Sequence, residues 1–140
     1  MNILLIGSGG REHAIAWALQ KSPNTDVLYV APGNGGTAEI AENVDLDIAD
    51  GEALLSFVHE RNIGLVVIGP EAPLVDGVAD LLRADGVPVF GPNADGARLE
   101  GSKAYSKAFM EVNDIPTAAY GRFDDEAAAL AYVREQGAPI

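Results

Sequence analysis

The chain has no cysteine, few basic residues and no long hydrophobic run, and each absence excludes a class of protein. Without cysteine there is no disulfide and no thiolate metal site, which favours a cytoplasmic location. Nine Lys and Arg against 21 Asp and Glu give a formal net charge of −12, which argues against nucleic acid or an anionic membrane as a partner. No apolar run approaches the roughly 20 residues of a membrane span, and no basic segment of a secretory signal precedes the first strand.

Hydrophobic residues make up 48% of the 140 residues, which is enough for one good core. Apolar runs at residues 3–6, 27–30, 65–68 and 87–90 alternate with segments of helical spacing. This alternation predicts an α/β fold with a doubly wound parallel sheet. The run at 65–68 has no polar alternation, which is typical of an interior strand, whereas Pro88 favours an edge position or a strand start for the last run.

The helical segments are bounded by capping residues and by glycine or proline. Helices are expected over 14–21, from Asp50 to about residue 61, over 75–84 with Val78, Leu81 and Leu82 inward, over 94–99, over 103–112 after Ser102, and from Asp124 to residue 136. Residues 137–140 resemble the beginning of a further strand.

A glycine-rich turn follows the first predicted strand and has the sequence Gly7-Ser8-Gly9-Gly10-Arg11-Glu12-His13. Glycines let the backbone approach a ligand closely, and the first turn of the next helix offers unpaired N–H groups at the positive end of the helix dipole. Together with Arg11, these groups favour a phosphate ligand. A turn that only connects strand and helix remains the alternative.

The turn differs from a dinucleotide-binding fingerprint, which has a third glycine and an acidic ribose ligand about 20 residues further on. Glu12 occupies the position of the third glycine. After the second strand, Pro32, Gly33 and Asn34 stand where the acid is expected. The sequence therefore favours a phosphate loop and disfavours NAD.

Each predicted strand ends in a glycine- or proline-rich loop, at residues 7–11, 32–36, 69–73 and 91–93. In parallel sheets, ligands bind where such loops converge. Glu71 lies in this predicted rim between two prolines, and its carboxylate is suited to accept hydrogen bonds from ribose hydroxyls. A solvent-facing loop acid is the alternative interpretation.

Four segments of the chain resemble the phosphoribosylamine–glycine ligase family of the ATP-grasp superfamily. They are Gly7-Ser8-Gly9-Gly10-Arg11-Glu12-His13-Ala14, Ala31-Pro32-Gly33-Asn34-Gly35-Gly36-Thr37, Gly69-Pro70-Glu71-Ala72-Pro73-Leu74 and Leu99-Glu100-Gly101-Ser102-Lys103-Ala104. The resemblance covers all 140 residues, although the family's proteins are much longer. It implies a Rossmann-like preATP-grasp, substrate-binding domain over residues 1–100 and the beginning of an ATP-grasp domain over 101–140.

The resemblance also implies an activity in de novo purine biosynthesis. Glycine is joined to 5-phosphoribosylamine with ATP, through a glycyl phosphate, to give glycinamide ribonucleotide, ADP and phosphate. ATP is a substrate, and Mg²⁺ or Mn²⁺ is bound mainly beyond residue 140. No catalytic residue or metal ligand is expected within residues 1–140, so this part is expected to be inactive alone. The expected partners are these small molecules, and the expected oligomeric state is a monomer.

Particular residues take roles from the resemblance. The residues expected to bind the phosphoribosyl group are Gly7, Gly9, Gly10, Arg11, Glu12, Pro32, Gly33, Asn34 and Glu71. Lys103 is the first choice for the ATP phosphates and Lys107, one helical turn later, the second; without the resemblance, both would be solvated helix charges. Two other functions remain open, a dinucleotide-binding oxidoreductase domain and a non-enzymatic nucleotide-sensing module.

Overall fold

The computed structural model describes residues 1–137, so most of the strand expected over 137–140 lies outside the described residues. The chain divides into two compact units, Met1–Gly101 and Ser102–Ile140. The first unit contains five strands, namely β1 (Asn2–Gly7), β2 (Leu28–Pro32), β3 (Glu42–Asn43), β4 (Ile63–Ile68) and β5 (Val89–Phe90). All strand pairs are parallel and the order is β3-β2-β1-β4-β5.

Helices on both faces of this sheet confirm the predicted α/β, doubly wound class. The side chains of the central strand β1 pack on both faces. Ile3 and Leu5 pack in one cluster with Ala16, while Leu4 and Ile6 pack in a second cluster on the other face. A strand covered on both faces must be apolar at every position, which is the pattern that its sequence shows. The interior position of β4 and the edge position of β5 are also as predicted.

Several predicted helices of the first unit have different bounds in the structure. Its helices are α1 (Gly10–Gln20), α2 (Gly51–Glu60), α3 (Glu71–Val75), α4 (Val78–Ala84) and α5 (Ala94–Gly101), with a 3₁₀ turn at Thr37–Glu39. Helix α1 begins four residues earlier than expected. The helix expected over 75–84 is present from Val78 to Ala84, but its start was wrong, because Gly77 at φ +85° separates α3 from α4. Leu81 is 37% exposed and is not inward, whereas Val78 and Leu82 are buried.

The second unit contains helices α6 (Lys103–Val112) and α7 (Glu126–Gln136). Ser102 caps α6 as predicted, since its Oγ accepts the N–H of Tyr105 at 3.3 Å. Asp125 rather than Asp124 caps α7, because its Oδ2 accepts the N–H of Ala128 at 2.8 Å. No residue from 102 to 137 is buried.

None of the helices within residues 1–137 has the length and apolar character that a membrane span requires.

Candidate functional site

The candidate site lies at the carboxyl ends of β1, β2 and β4. The strand order reverses between β1 and β4, and in open parallel sheets ligands bind in the crevice outside such a reversal. The N–H of Gly69 donates to the carbonyl of Ile6 at 3.0 Å, and the N–H of Gly33 donates to the carbonyl of Gly7 at 3.1 Å. The three strand-end loops therefore meet at one edge, where the sequence predicted that they would converge.

Glu12 is a buried carboxylate at the start of α1, with only 3% of the residue exposed. Its Oε2 accepts the N–H of Gly9 at 2.7 Å, and its Oε1 accepts the Nε–H of Arg11 at 2.8 Å. A Cβ added at Gly7 or Gly69 would overlap the Glu12 side chain. The glycines at the end of β1 and directly after β4 thus make room for this buried carboxylate, whose two oxygens accept hydrogen bonds from protein groups.

The surroundings of Glu12 keep it ionised. Burial by itself would raise the pKa of Glu12, but hydrogen bonds from the Arg11 side chain and the Gly9 backbone outweigh burial and lower it. The pKa of Arg11 is raised, first by the hydrogen bond to Glu12 and, against some desolvation, by the charges of Glu12, Glu71 and Glu100. At neutral pH the Arg11–Glu12 pair is therefore an ion pair.

Arg11 still has donors for a ligand. Its side chain is 55% exposed, and within residues 1–137 only its Nε has a partner. Among the described residues, the terminal nitrogens of the guanidinium and the backbone N–H groups of Gly10 and Arg11 have no acceptor. These donors, with the positive end of the α1 dipole, form an arrangement that suits an anion.

Asn34 ties the loop after β2 to the loop after β1. Its Nδ2 donates to the carbonyl of Ser8 at 2.8 Å, and its Oδ1 accepts the N–H groups of Gly36 at 2.8 Å and Thr37 at 3.0 Å. Thr37 is fully buried, and its Oγ1 accepts the N–H of Asn34 at 2.7 Å. The amide of Asn34 thus shapes the edge of the site.

Pro32 and Gly33 lie beside Asn34 at the end of β2. Pro32 is the last residue of β2 and is exposed, and Gly33 has φ +73°, a conformation that favours glycine. Their backbone forms the rim next to Gly7.

Glu71 and Glu100 lie close enough to Arg11 for their charges to act on it. Glu71 is the first residue of α3 and not a loop acid, which corrects the prediction; it is exposed. Both carboxylates line a cleft of about 310 Å³ with Gly69, Phe90 and other residues at the ends of β4 and β5. Glu100 was not among the predicted site residues, because only the fold brings the end of α5 beside the end of β4.

A larger cleft of about 450 Å³ lies along α3 and α4, with Ile48, Pro73, Val78 and Leu81 in its lining. It contains none of the predicted site residues and is mainly apolar.

The two lysines in the second unit differ in their contacts. Lys107 donates from Nζ to the Thr117 hydroxyl at 2.7 Å and to the Ala118 carbonyl at 2.9 Å, and lies 5.4 Å from the centre of the Tyr120 ring. Lys103 is exposed and has no hydrogen bond or ion pair with any described residue. Lys107 therefore connects α6 to the segment after it, while the ammonium of Lys103 remains available.

The strand order, the glycine-rich β1–α1 turn and the crevice at the reversal define an open parallel α/β domain with a ligand-binding edge. A family model described as Phosphoribosylglycinamide synthetase, N domain, matches residues 1–100. The chain belongs to this family.

Relatives of known name agree with this assignment. The chain is 54% identical over 142 residues to a phosphoribosylamine–glycine ligase of Vibrio cholerae and 57% identical over 140 residues to one of Mesorhizobium japonicum. Each alignment covers all of this chain and 33% of the relative, so the chain spans about a third of the length of these relatives.

Solved structures show the same fold. A phosphoribosylamine–glycine ligase from Thermotoga maritima is 35% identical with a TM-score of 0.60, covering 85% of this chain and 26% of that one. An N5-carboxyaminoimidazole ribonucleotide synthetase from Thermus thermophilus, at 22% identity, has a TM-score of 0.67 over 98% of this chain and 37% of its own. The second likeness concerns the fold alone.

Proposed function

We propose that this domain binds the phosphoribosyl substrate of an ATP-dependent ligase that joins glycine to 5-phosphoribosylamine. The products are glycinamide ribonucleotide, ADP and phosphate, and the reaction belongs to purine biosynthesis. The single observation that carries the proposal is the meeting of the β1, β2 and β4 loops around the unpaired donors of Arg11 and the first turn of α1. Family membership supports it, since the named relatives are phosphoribosylamine–glycine ligases.

Different residues of the domain bind the phosphate and the ribose of the substrate. The backbone N–H groups of Gly10 and Arg11 and the terminal nitrogens of Arg11 bind the phosphate. Glu71 accepts hydrogen bonds from the ribose hydroxyls, and Gly7, Gly9, Pro32, Gly33 and Asn34 shape the loops around the sugar. Holding the ribosylamine in one orientation is the contribution of this domain to the reaction.

Residues 101–140 are, in this proposal, the beginning of an ATP-grasp domain, with Lys103 reaching the ATP phosphates. The preference for Lys103 over Lys107 is supported by the hydrogen bonds that already engage Lys107. Within residues 1–137 no group of three acidic or histidine side chains is arranged to hold a metal. Residues 1–137 are therefore given no role in binding Mg²⁺. The cytoplasmic location that the sequence predicts stays a prediction.

Calorimetric titration of the full-length protein, as its gene encodes it, tests the proposal. Glycinamide ribonucleotide is the ligand, and ribose 5-phosphate and NADH are the comparison ligands. We expect preferential binding of glycinamide ribonucleotide that Arg11→Ala and Glu71→Ala weaken, while Arg134→Ala, an exposed arginine in α7, leaves it unchanged. Preference for NADH, or binding indifferent to both site variants, would contradict the proposal.

A second test concerns residues 1–140 by themselves. We expect no glycine-dependent release of ADP from this part, because the named relatives are about three times as long. A coupled assay for ADP measures this, and turnover well above the rate without enzyme would show the expectation to be wrong.

A further inference from the structure

We propose that Glu12 is a positioning residue that orients Arg11 towards the phosphate of the substrate, and that it does not itself bind the substrate. This inference rests on the function proposed above. It changes the role that the resemblance implies for Glu12, and it explains why an acid stands where a dinucleotide-binding turn has glycine.

Direct contact between Glu12 and the ligand is disfavoured by burial and by charge. The residue is 3% exposed, and both carboxylate oxygens already accept hydrogen bonds, one from Gly9 and one from Arg11. A carboxylate would also repel the phosphate that the neighbouring donors are suited to bind. Glu12 can therefore influence the ligand only through the groups that it holds.

The atom of Arg11 that Glu12 holds determines where the guanidinium points. A guanidinium is planar and carries its five N–H groups in a fixed fork. With Nε held at 2.8 Å from Glu12, the plane of the guanidinium is fixed on that side, and the two terminal nitrogens have no partners among residues 1–137. These nitrogens provide the bidentate edge that phosphate prefers.

The Glu12 carboxylate lies against backbone at three glycines. Gly7 and Gly69 end two neighbouring strands, and a Cβ at either position would overlap Glu12, while a Cβ at Gly9 would lie 2.9 Å from Oε2. Three glycines around one acid fix its place at the reversal of the strand order. Arg11, which is largely exposed, thus gains a fixed anchor that its own packing does not supply.

A double-mutant cycle on the full-length protein tests the inference, with affinity for glycinamide ribonucleotide measured by calorimetry. Glu12→Gln keeps the size of the side chain and is expected to weaken binding about tenfold, the order expected when one charge-assisted hydrogen bond is lost. In an Arg11→Ala background, Glu12→Gln should weaken binding less than about twofold further, because the group that it positions is gone. Glu52→Gln, which removes an exposed acid from the first turn of α2, is the matched control.

Arg11→Lys provides an independent measurement that leaves Glu12 in place. Arginine can donate from Nε to Glu12 and from its terminal nitrogens to the phosphate, whereas lysine has a single ammonium for both partners. This variant should therefore lose nearly as much affinity as Arg11→Ala. Thermal unfolding establishes whether each variant is folded. If Glu12→Gln does not fold, the affinity of Arg11→Lys alone tests whether Glu12 positions Arg11.

Three results would overturn the inference while leaving the proposed function intact. They are unchanged affinity in Glu12→Gln, an equal loss from Glu12→Gln with and without Arg11, and full affinity in Arg11→Lys. Absence of binding by the unmodified protein would instead overturn the proposed function, and this inference with it.

Discussion

Glu12 shows what a buried charge requires in order to be tolerated. Leaving a carboxylate uncompensated inside a protein costs several kcal/mol, and here Gly9 and Arg11 supply the compensation. The pKa of Glu12 is lower in the folded state than its ordinary value of about 4.3. Its contribution to stability is therefore fully present above that value and is lost as pH falls through the folded-state pKa.

We expect Glu12→Gln to lower the free energy of unfolding by about 2 kcal/mol at pH 7, the cost of losing hydrogen bonds to a charged group. The difference from the unmodified protein should begin to shrink as the pH falls below the ordinary glutamate pKa and should disappear only below the lower folded-state pKa of Glu12, where the carboxylate is protonated and both side chains are neutral. Urea unfolding at a series of pH values measures this. A difference that stays constant down to pH 2 would show that the charge of Glu12 is not what stabilises the turn.

Gly69 and Gly10 offer a matched pair of substitutions in the same site. An added Cβ at Gly69 would overlap the Glu12 carboxylate, whereas at Gly10 no atom lies within 4 Å. We expect Gly69→Ala to cost about 1–3 kcal/mol through overpacking. Gly10→Ala should be neutral or should stabilise by about 0.5 kcal/mol, since Gly10 is in a helix. Thermal unfolding distinguishes the two, and equal effects would contradict the assigned packing.

The sequence predicted well those helices and strands that have a strong apolar pattern. The runs at 3–6 and 65–68 are buried interior strands because both faces of the sheet are covered, and Ser102 caps α6 as its position indicates. The start of α1 was placed four residues late, since glycine has low helix propensity and Gly10 gave no sign of helix. The break at Gly77 was missed because a left-handed glycine has no pattern of its own.

The cap of α7 provides a test at two adjacent acids. Asp125 accepts the N–H of Ala128, and Asp124 precedes the cap. We expect Asp125→Ala to destabilise the helix start by about 1 kcal/mol, whereas Asp124→Ala should change little. Hydrogen exchange at the amide of Ala128 measures the difference. Faster exchange in Asp124→Ala alone would instead show that Asp124 caps α7, as the sequence predicted.

The two units differ in how much core they contain. Both hydrophobic clusters are made of residues from Met1–Gly101, and no residue from 102 to 137 is buried. We therefore expect residues 1–101 alone to unfold cooperatively, with a midpoint within about 5 °C of that of residues 1–140. Scanning calorimetry checks this. A broad transition without a heat-absorption peak in the shorter chain would contradict it, and residues 102–140 alone should show no such peak.

The sequence predicted the position of the candidate site better than its internal arrangement. Loops at the ends of parallel strands converge wherever the strand order reverses, so the place follows from the pattern of strands. Which carboxylate is buried and which faces a cleft depends on distances between residues far apart in the chain. The burial of Glu12 and the effect of the Glu100 charge on Arg11 therefore have no signal in the sequence.

The close fit of Glu12 between Gly7 and Gly69 has an evolutionary consequence. A single change, Glu12→Gly, would complete the glycine pattern of a dinucleotide-binding turn in the sequence, yet it would leave an empty space beneath Gly69 and remove the anchor of Arg11. A side chain at Gly69 is equally costly while Glu12 is present. These positions are therefore epistatic: a side chain at position 69 is tolerated only after Glu12 has changed, and lineages that keep the acid at 12 are expected to keep glycine at 69.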